Sequence, residues 1–177
     1  MSLYKRKCDA PGHNESIISI YRPESKLVVY DLEYWWSDKW DPMSFGLEYD
    51  FSKSFFLQWK ELRDHFPLQT LSNSKATNSD YCNVAEESKD SYLTSGSWKI
   101  ERTFYSNRVS SIRDSSDLYV VHRSELCYDD VICTDCYRVF YSLNCKNCLD
   151  SYFLYNCNDC TNCFGCSNLR SKSYCLW

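Results

Sequence analysis

The chain has 177 residues, a formal net charge of −4 and a composition that is 44% hydrophobic and 17% aromatic. That is long enough for a packed core and too apolar for a disordered chain. The longest basic run is Lys5-Arg6-Lys7, which argues against a duplex nucleic-acid partner, whose binding rests on phosphate neutralisation. No apolar stretch approaches the ~18 residues of a membrane-spanning helix.

Residues 1–7 contain no hydrophobic signal segment. A cytoplasmic, reducing setting is therefore the expectation, in which cysteine serves as a small buried side chain or a metal ligand. Cys8 and His13 are half of a metal-ligand set, and the sequence does not show the other half. Residues 1–67 read as a small α+β unit. The runs 17–21 and 27–30 are apolar or β-branched, and Arg22-Pro23-Glu24-Ser25-Lys26 between them carries a proline that presets a turn. Together they predict a β-hairpin. Trp35, Trp36 and Trp40 follow, with charged residues among them. Between residues 52 and 65, Phe55, Phe56, Trp59 and Leu62 recur at helical spacing. This predicts a helix that packs its aromatic face and stops at Pro67.

Residues 68–80 are rich in Ser, Asn and Thr, and the domain boundary is expected there. From residue 78 to 177 the helical period vanishes and a repeat takes over. Of the twelve Cys, only Cys8 and Cys82 precede residue 127. Tyr119, Tyr128 and Tyr137, and with them Tyr155, fit a spacing of nine. Cys133/Cys145/Cys157, Cys136/Cys148/Cys160 and Asn144/Asn156/Asn168 fit a spacing of twelve. Both are multiples of three, so spacing alone leaves the coil length open. Stacked identical residues at a short fixed period are the signature of a solenoid. The expected fold is mostly β: a small α+β N-terminal cap, residues 1–67, then a parallel β-solenoid of short Cys/Tyr repeats, residues 78–177.

The residues 4–9, 17–21, 34–41 and 50–52 with Phe55-Phe56, and later 150–153, 162–166 and 168–170, resemble an uncharacterised family of Cys/Tyr-rich proteins from bacteria of the candidate phyla. The likeness spans most of the chain. Members of that family carry a zinc-ribbon segment before the stretch matched by residues 4–8, and they continue beyond the position of Trp177. Neither part is present here. The resemblance supports the architecture and implies no activity.

The pairs Cys133/Cys136, Cys145/Cys148, Cys157/Cys160 and Cys163/Cys166 have CxxC spacing, which suits zinc because two thiolates on one knuckle span a tetrahedron edge. A repeat with inward cysteines gives the same spacing without metal. Residues three apart both face inward only if the chain turns a corner between them. Structural thiols are the main reading, thiolate-held zinc the alternative and disulfides a third. For catalysis there is no phosphate loop and no nucleophile elbow, and His13, His65 and His122 have no evident catalytic partner. An enzyme with a site on the solenoid face is the weakest reading. The functional expectation is a non-catalytic structural or interaction module without a cofactor. Its aromatics (Trp35, Trp36, Trp40, Tyr119, Tyr128, Tyr137 and Tyr155) would meet a protein or a glycan. Near Trp177 the repeat offers an uncovered strand edge, so an end-to-end homodimer is also expected.

Overall fold

The computed structural model describes residues 1–176. The chain divides into two compact units, Met1–Leu71 and Ser72–Trp177. Among the described residues no helix is long and apolar enough to cross a membrane.

In the first unit β1 (Tyr4–Lys7) and β2 (Ser16–Ser19) form an antiparallel pair. The short β3 (Val29–Tyr30) instead pairs in parallel with β4 (Leu68–Gln69). The turn at Arg22 exists, closed by the Ser25 N–H on the Arg22 carbonyl at 3.1 Å. The hairpin expected across it does not, because each flanking strand takes a partner elsewhere in the unit. The buried Arg6 guanidinium helps separate them: it binds the Arg22 and Leu27 carbonyls at 3.4 and 3.0 Å and the Asp9 carboxylate at 2.8 Å. Helix α1 (Leu32–Trp35) is capped by Asp31, whose carboxylate accepts the Tyr34 N–H at 2.8 Å.

Helix α2 (Phe55–His65) starts after Ser54, slightly later than the sequence implied. Its aromatic face is not packed. Phe55 is 57% exposed, Phe56 78% and Trp59 51%. The aromatic spacing identified the helix correctly, but it did not identify what covers the face.

The second unit is a parallel β-solenoid of about seven turns over residues 73–152. Its strands are β5 (Asn73–Ser74), β6 (Asn83–Lys89), β7 (Ser95–Phe104), β8 (Asn107–Glu125), β9 (Tyr128–Val131), β10 (Tyr137–Leu143) and β11 (Leu149–Tyr152). The register advances by twelve at every step: Asn83 faces Ser95, Ser95 faces Asn107, Ile100 faces Ile112, and Tyr137 faces Leu149. Single bridges carry the same step onward to Thr161 against Ser173 and Phe164 against Leu176. A coil is therefore twelve residues, made of four three-residue sides.

Each side has one lumenal residue, one outward residue and one residue at positive φ. Asp135 (φ 50°), Arg138 (φ 52°), Tyr141 (φ 56°) and Asn144 (φ 58°) mark one set of corners. The residue after each corner is buried: Cys136, Val139, Ser142 and Cys145. This is the corner that CxxC spacing requires if both cysteines are to face inward.

The lumen is filled by small and branched side chains. Ile100, Val109, Ile112, Leu118, Val121 and Val139 are fully enclosed, and cysteines occupy most lumenal places further on. Ser, Thr and Cys suit this lumen because lumenal amides have their own hydrogen-bonding needs. The Leu118, Cys127, Leu154 and Cys163 N–H groups donate to the hydroxyls of Ser106, Ser115, Ser142 and Ser151, one coil earlier, at 3.0–3.2 Å. Those hydroxyls in turn donate to the carbonyl two residues back, as Ser142 does to Phe140 at 3.0 Å. Cysteine repeats the second half of the pattern, with Cys136 on Thr134 and Cys148 on Lys146 at 3.3 and 3.1 Å.

Candidate functional site

The twelve-residue register sorts the outward aromatics into columns. One column runs Tyr92, Phe104, Ser116, Tyr128, Phe140, Tyr152, Phe164 and Leu176, each residue bridged to the next. Beside it, at the following corner positions, stand Tyr81, Leu93, Tyr105, Asp117, Asp129, Tyr141, Phe153 and Gly165. The two columns form one aromatic face. Phe140 stacks on Tyr152 with ring centroids 5.1 Å apart and planes 10° from parallel. Tyr141 stacks on Phe153 at 5.1 Å and 8°. Edge contacts join Tyr128 to Tyr141 and Phe153 to Phe164 at 5.4 Å, and Tyr81 to Tyr92 and Tyr92 to Tyr105 at 5.5 and 5.8 Å. The stacking distance follows from the ~4.8 Å spacing of hydrogen-bonded strands. The outer ring faces stay half exposed.

Both columns lose their aromatics at the coil of Ser116 and Asp117. A cleft of about 540 Å³ opens there, lined by Phe104, Ser116, Leu126, Tyr128 and Phe140. The Ser116 hydroxyl donates to Asp117 at 3.0 Å. Asp117 also pushes the Tyr128 phenol up, with Tyr141 adding to it. On one side of the cleft Arg102 forks onto the Asp114 carboxylate. A second, wider trough of about 650 Å³ is lined by mixed charges, Lys89, Lys99, Glu101, Arg113, Arg123 and Glu125 among them.

The aromatics singled out by the nine-residue spacing do not form one rank. Nine residues are three sides of a four-sided coil, so each step moves to another face. Tyr119 and Tyr155 share a column with Val131 and Leu143. Tyr137 aligns with Glu125 and Leu149 on a second face. Tyr128 alone of the four stands in the aromatic column. Phe164 also fits the nine-residue spacing after Tyr155, but its neighbours in the column (Phe104, Phe140 and Tyr152) do not, and they stand one or two coils from Tyr128, where a spacing of twelve would have found them.

Trp35 and Trp40 are half-buried in the first unit. Their ring centroids are 4.8 Å apart, and the Trp40 indole N–H donates to the Trp35 carbonyl at 2.9 Å. Tyr30 and Phe66 pack edge-on to Trp40 at 5.6 and 5.8 Å. Both rings therefore belong to the packing of that unit, whereas Trp36 is 66% exposed.

The CxxC cysteines Cys133, Cys136, Cys145, Cys148, Cys157, Cys160, Cys163 and Cys166 are all buried and all free thiols. Cys133, Cys136, Cys145 and Cys148 stand near enough to affect one another's ionisation. Cys145, which Cys133 and Cys148 both approach, is the easiest of the four to ionise. Burial pushes the neighbouring Cys127 up to about 11. No three of these sulfurs close to within 4.8 Å of one another. Among the described residues that closeness is reached by one set, Cys8, His13 and Asp31. His122 bonds Ser110 one coil earlier through Nδ1 at 2.6 Å.

No protein-family model matches the chain, and no curated protein is similar to it.

Proposed function

We propose that this chain is a non-catalytic interaction module that presents the aromatic face of its solenoid to a macromolecular partner. One observation carries the reading. Aromatic residues at a twelve-residue step, Phe104, Tyr128, Phe140, Tyr152 and Phe164, lie on one face with their outer surfaces uncovered. Stacked rings held by a hydrogen-bonded ladder have already lost their conformational freedom. A partner that meets them therefore loses little further entropy on binding.

The cleft at Ser116 gives the face one recess, and its walls Phe104 and Tyr128 are two coils apart, or ~9.6 Å from the strand spacing. A flat side chain fits between them. A protein partner suits this better than a regular polymer, because the break comes at one coil and is not periodic.

The test is capture of a partner on immobilised chain, followed by its identification. Binding of that purified partner is then compared with the Tyr152→Ser/Phe164→Ser double variant. These are outward residues, so far-ultraviolet circular dichroism should be unchanged, and affinity should drop at least ~10-fold if two stacking contacts are lost. Equal binding by both proteins would place the interaction elsewhere and end this reading.

A further inference from the structure

We propose that Cys8, His13 and Asp31 form a binding site for one zinc-class divalent cation, with thiolate, imidazole and carboxylate ligands and a fourth position open. The site lies wholly in the first unit and is independent of the aromatic face.

The sequence between Cys8 and His13, Asp9-Ala10-Pro11-Gly12, folds as a tight loop. The His13 N–H closes it on the Ala10 carbonyl at 3.0 Å, and Gly12 sits at φ 79°, where a side chain would be strained. The loop turns the imidazole back over the sulfur. Asp31 arrives from the other side, at the start of α1. Its Oδ1 is occupied by the helix cap to the Tyr34 N–H. Its Oδ2 stands between the other two groups, 3.2 Å from the Cys8 sulfur and 2.8 Å from His13 Nδ1. The nearby Asp9 is committed elsewhere, to Arg6 at 2.8 Å and to the Val29 N–H at 2.9 Å.

Two further features suit a metal-bound sulfur. The Ala10 and Asp31 backbone N–H groups both point at Cys8 Sγ, at 3.5 and 3.3 Å. Amides aimed at a sulfur offset the charge of a thiolate. The imidazole is held by the Tyr34 ring, edge-on at 5.0 Å. Such outer contacts fix ligand direction at metal centres.

Zinc bonds of ~2.3 Å to sulfur and ~2.0–2.1 Å to nitrogen or oxygen set ligand atoms ~3.2–3.8 Å apart around one tetrahedral ion. The three atoms lie within 4.8 Å of one another, with the contacts through Asp31 already shorter. At most ~1–1.6 Å of closure between Cys8 and His13, shared by their two side chains, is then needed. The donor set excludes calcium and magnesium, which take oxygen ligands, and favours zinc among the available divalent ions. In the metal-free site the Cys8 thiol and the His13 Nδ1–H both donate toward Asp31 Oδ2. On binding, the thiol proton leaves to solvent, the imidazole proton moves to Nε2, and the cation takes the place of both hydrogen bonds. Three protein ligands leave one tetrahedral position for water or an incoming group.

Cobalt(II) is the probe, because thiolate coordination gives it a charge-transfer band and tetrahedral geometry gives it intense visible bands. The full chain, reduced and stripped of metal, is titrated with cobalt and then with zinc. The expected result is one equivalent bound, with both sets of bands, followed by displacement by zinc. His13 is partly exposed, so His13→Ala should keep the fold by circular dichroism and weaken cobalt binding at least ~10-fold. Asp31→Asn should weaken it as well. Cys133→Ser removes a lumenal thiol and should leave the spectrum intact. No thiolate band at one equivalent would overturn the assignment. So would a band that persists in His13→Ala and disappears in Cys133→Ser, which would move the metal to the lumen.

Discussion

At the residue scale the lumen is a hydrogen-bonding lattice as much as an apolar core, and its cysteines follow the rules of its serines. Cys145 shows this. Its thiol faces the Leu143 carbonyl at 3.6 Å, as Ser142 faces the Phe140 carbonyl. A serine there finds the same partners that Ser142 and Ser151 use. Cys145→Ser should therefore cost ~1 kcal/mol or less in chemical denaturation, against the ~1–3 kcal/mol of an unpaired buried hydroxyl. A larger loss would mean that thiol–thiol contacts hold the lumen together. Asp130, like Ser88 with its unpartnered buried hydroxyl, breaks the lattice. It is fully buried, with Oδ1 accepting the Ser142 N–H at 3.0 Å and Oδ2 without a partner. Burial pushes its carboxyl up to about 8. A raised carboxyl stabilises the fold fully below the unfolded value of ~3.9, and that contribution is lost as pH rises through about 8. Asp130→Asn keeps the accepting oxygen and removes the titration. Denaturation midpoints of the variant should stay level between about pH 5 and pH 8, while the parent loses ~2 kcal/mol or more. A parent curve as flat as the variant's would show that Asp130 ionises without cost.

At the element scale, the two recurring features are the corner at every third residue and the uncovered face of α2. Corners at positive φ are easy for Gly, Asn and Asp and cost other residues ~1–2 kcal/mol each. Many here are unfavourable residues: Val84, Val120 and Ile132 at φ 52°, 57° and 58° are β-branched. The ladder bonds that flank each corner, such as the Ile132 N–H on the Tyr119 carbonyl at 2.9 Å, hold them in place. Ile132 is half exposed, so Ile132→Asn relieves the strain with little loss of burial. It should raise stability by ~0.5–1 kcal/mol, and a fall of that size would show that the corner is less strained than its φ implies. Helix α2 gives the opposite case, a well-formed element with its apolar face in solvent. A fully buried Trp→Ala change costs ~3–5 kcal/mol. Among the described residues Trp59, half exposed, stacks only on the Arg63 guanidinium at 5.7 Å. Trp59→Ala should therefore cost below ~1 kcal/mol. A loss of several kcal/mol in the isolated chain would mean that the ring is packed.

At the scale of the whole molecule, the solenoid was legible because its pattern is local and repeated, and the strand pairings of the first unit were not because they join separate segments. Period three is written into residues such as Cys157, Cys160, Cys163 and Cys166, and it marks the inward side of every coil. The number of sides per coil is not local information. It emerges when Tyr128 is bridged to Phe140, and the nine-residue alignment of Tyr119, Tyr128 and Tyr137 reflects only that three sides separate them. Likewise β2 could not announce from its own residues that it would pair with β1, nor could Cys8 and His13 announce that Asp31 would join them from 18 residues beyond His13. Trp177, expected in an end-to-end contact, lies outside the described residues. The coil length can be tested by deletion. Removing residues 143–154 takes out twelve, so Ser142 is followed by Tyr155, which held the same place one coil later. Every column stays aligned, and the variant should unfold cooperatively with its lumenal thiols unreactive. Removing residues 143–151 takes out nine. The inward positions survive, because nine is a multiple of three, but all later columns move by one side, and Phe140 then stands over Thr161. That variant should also protect its thiols, yet lose the ring-stacking signal in near-ultraviolet circular dichroism. Removing residues 143–152 takes out ten, which turns the later cysteines outward and exposes them to a thiol reagent. Protected thiols and intact stacking in the nine-residue deletion, with both lost in the twelve-residue one, would rule out a four-sided coil.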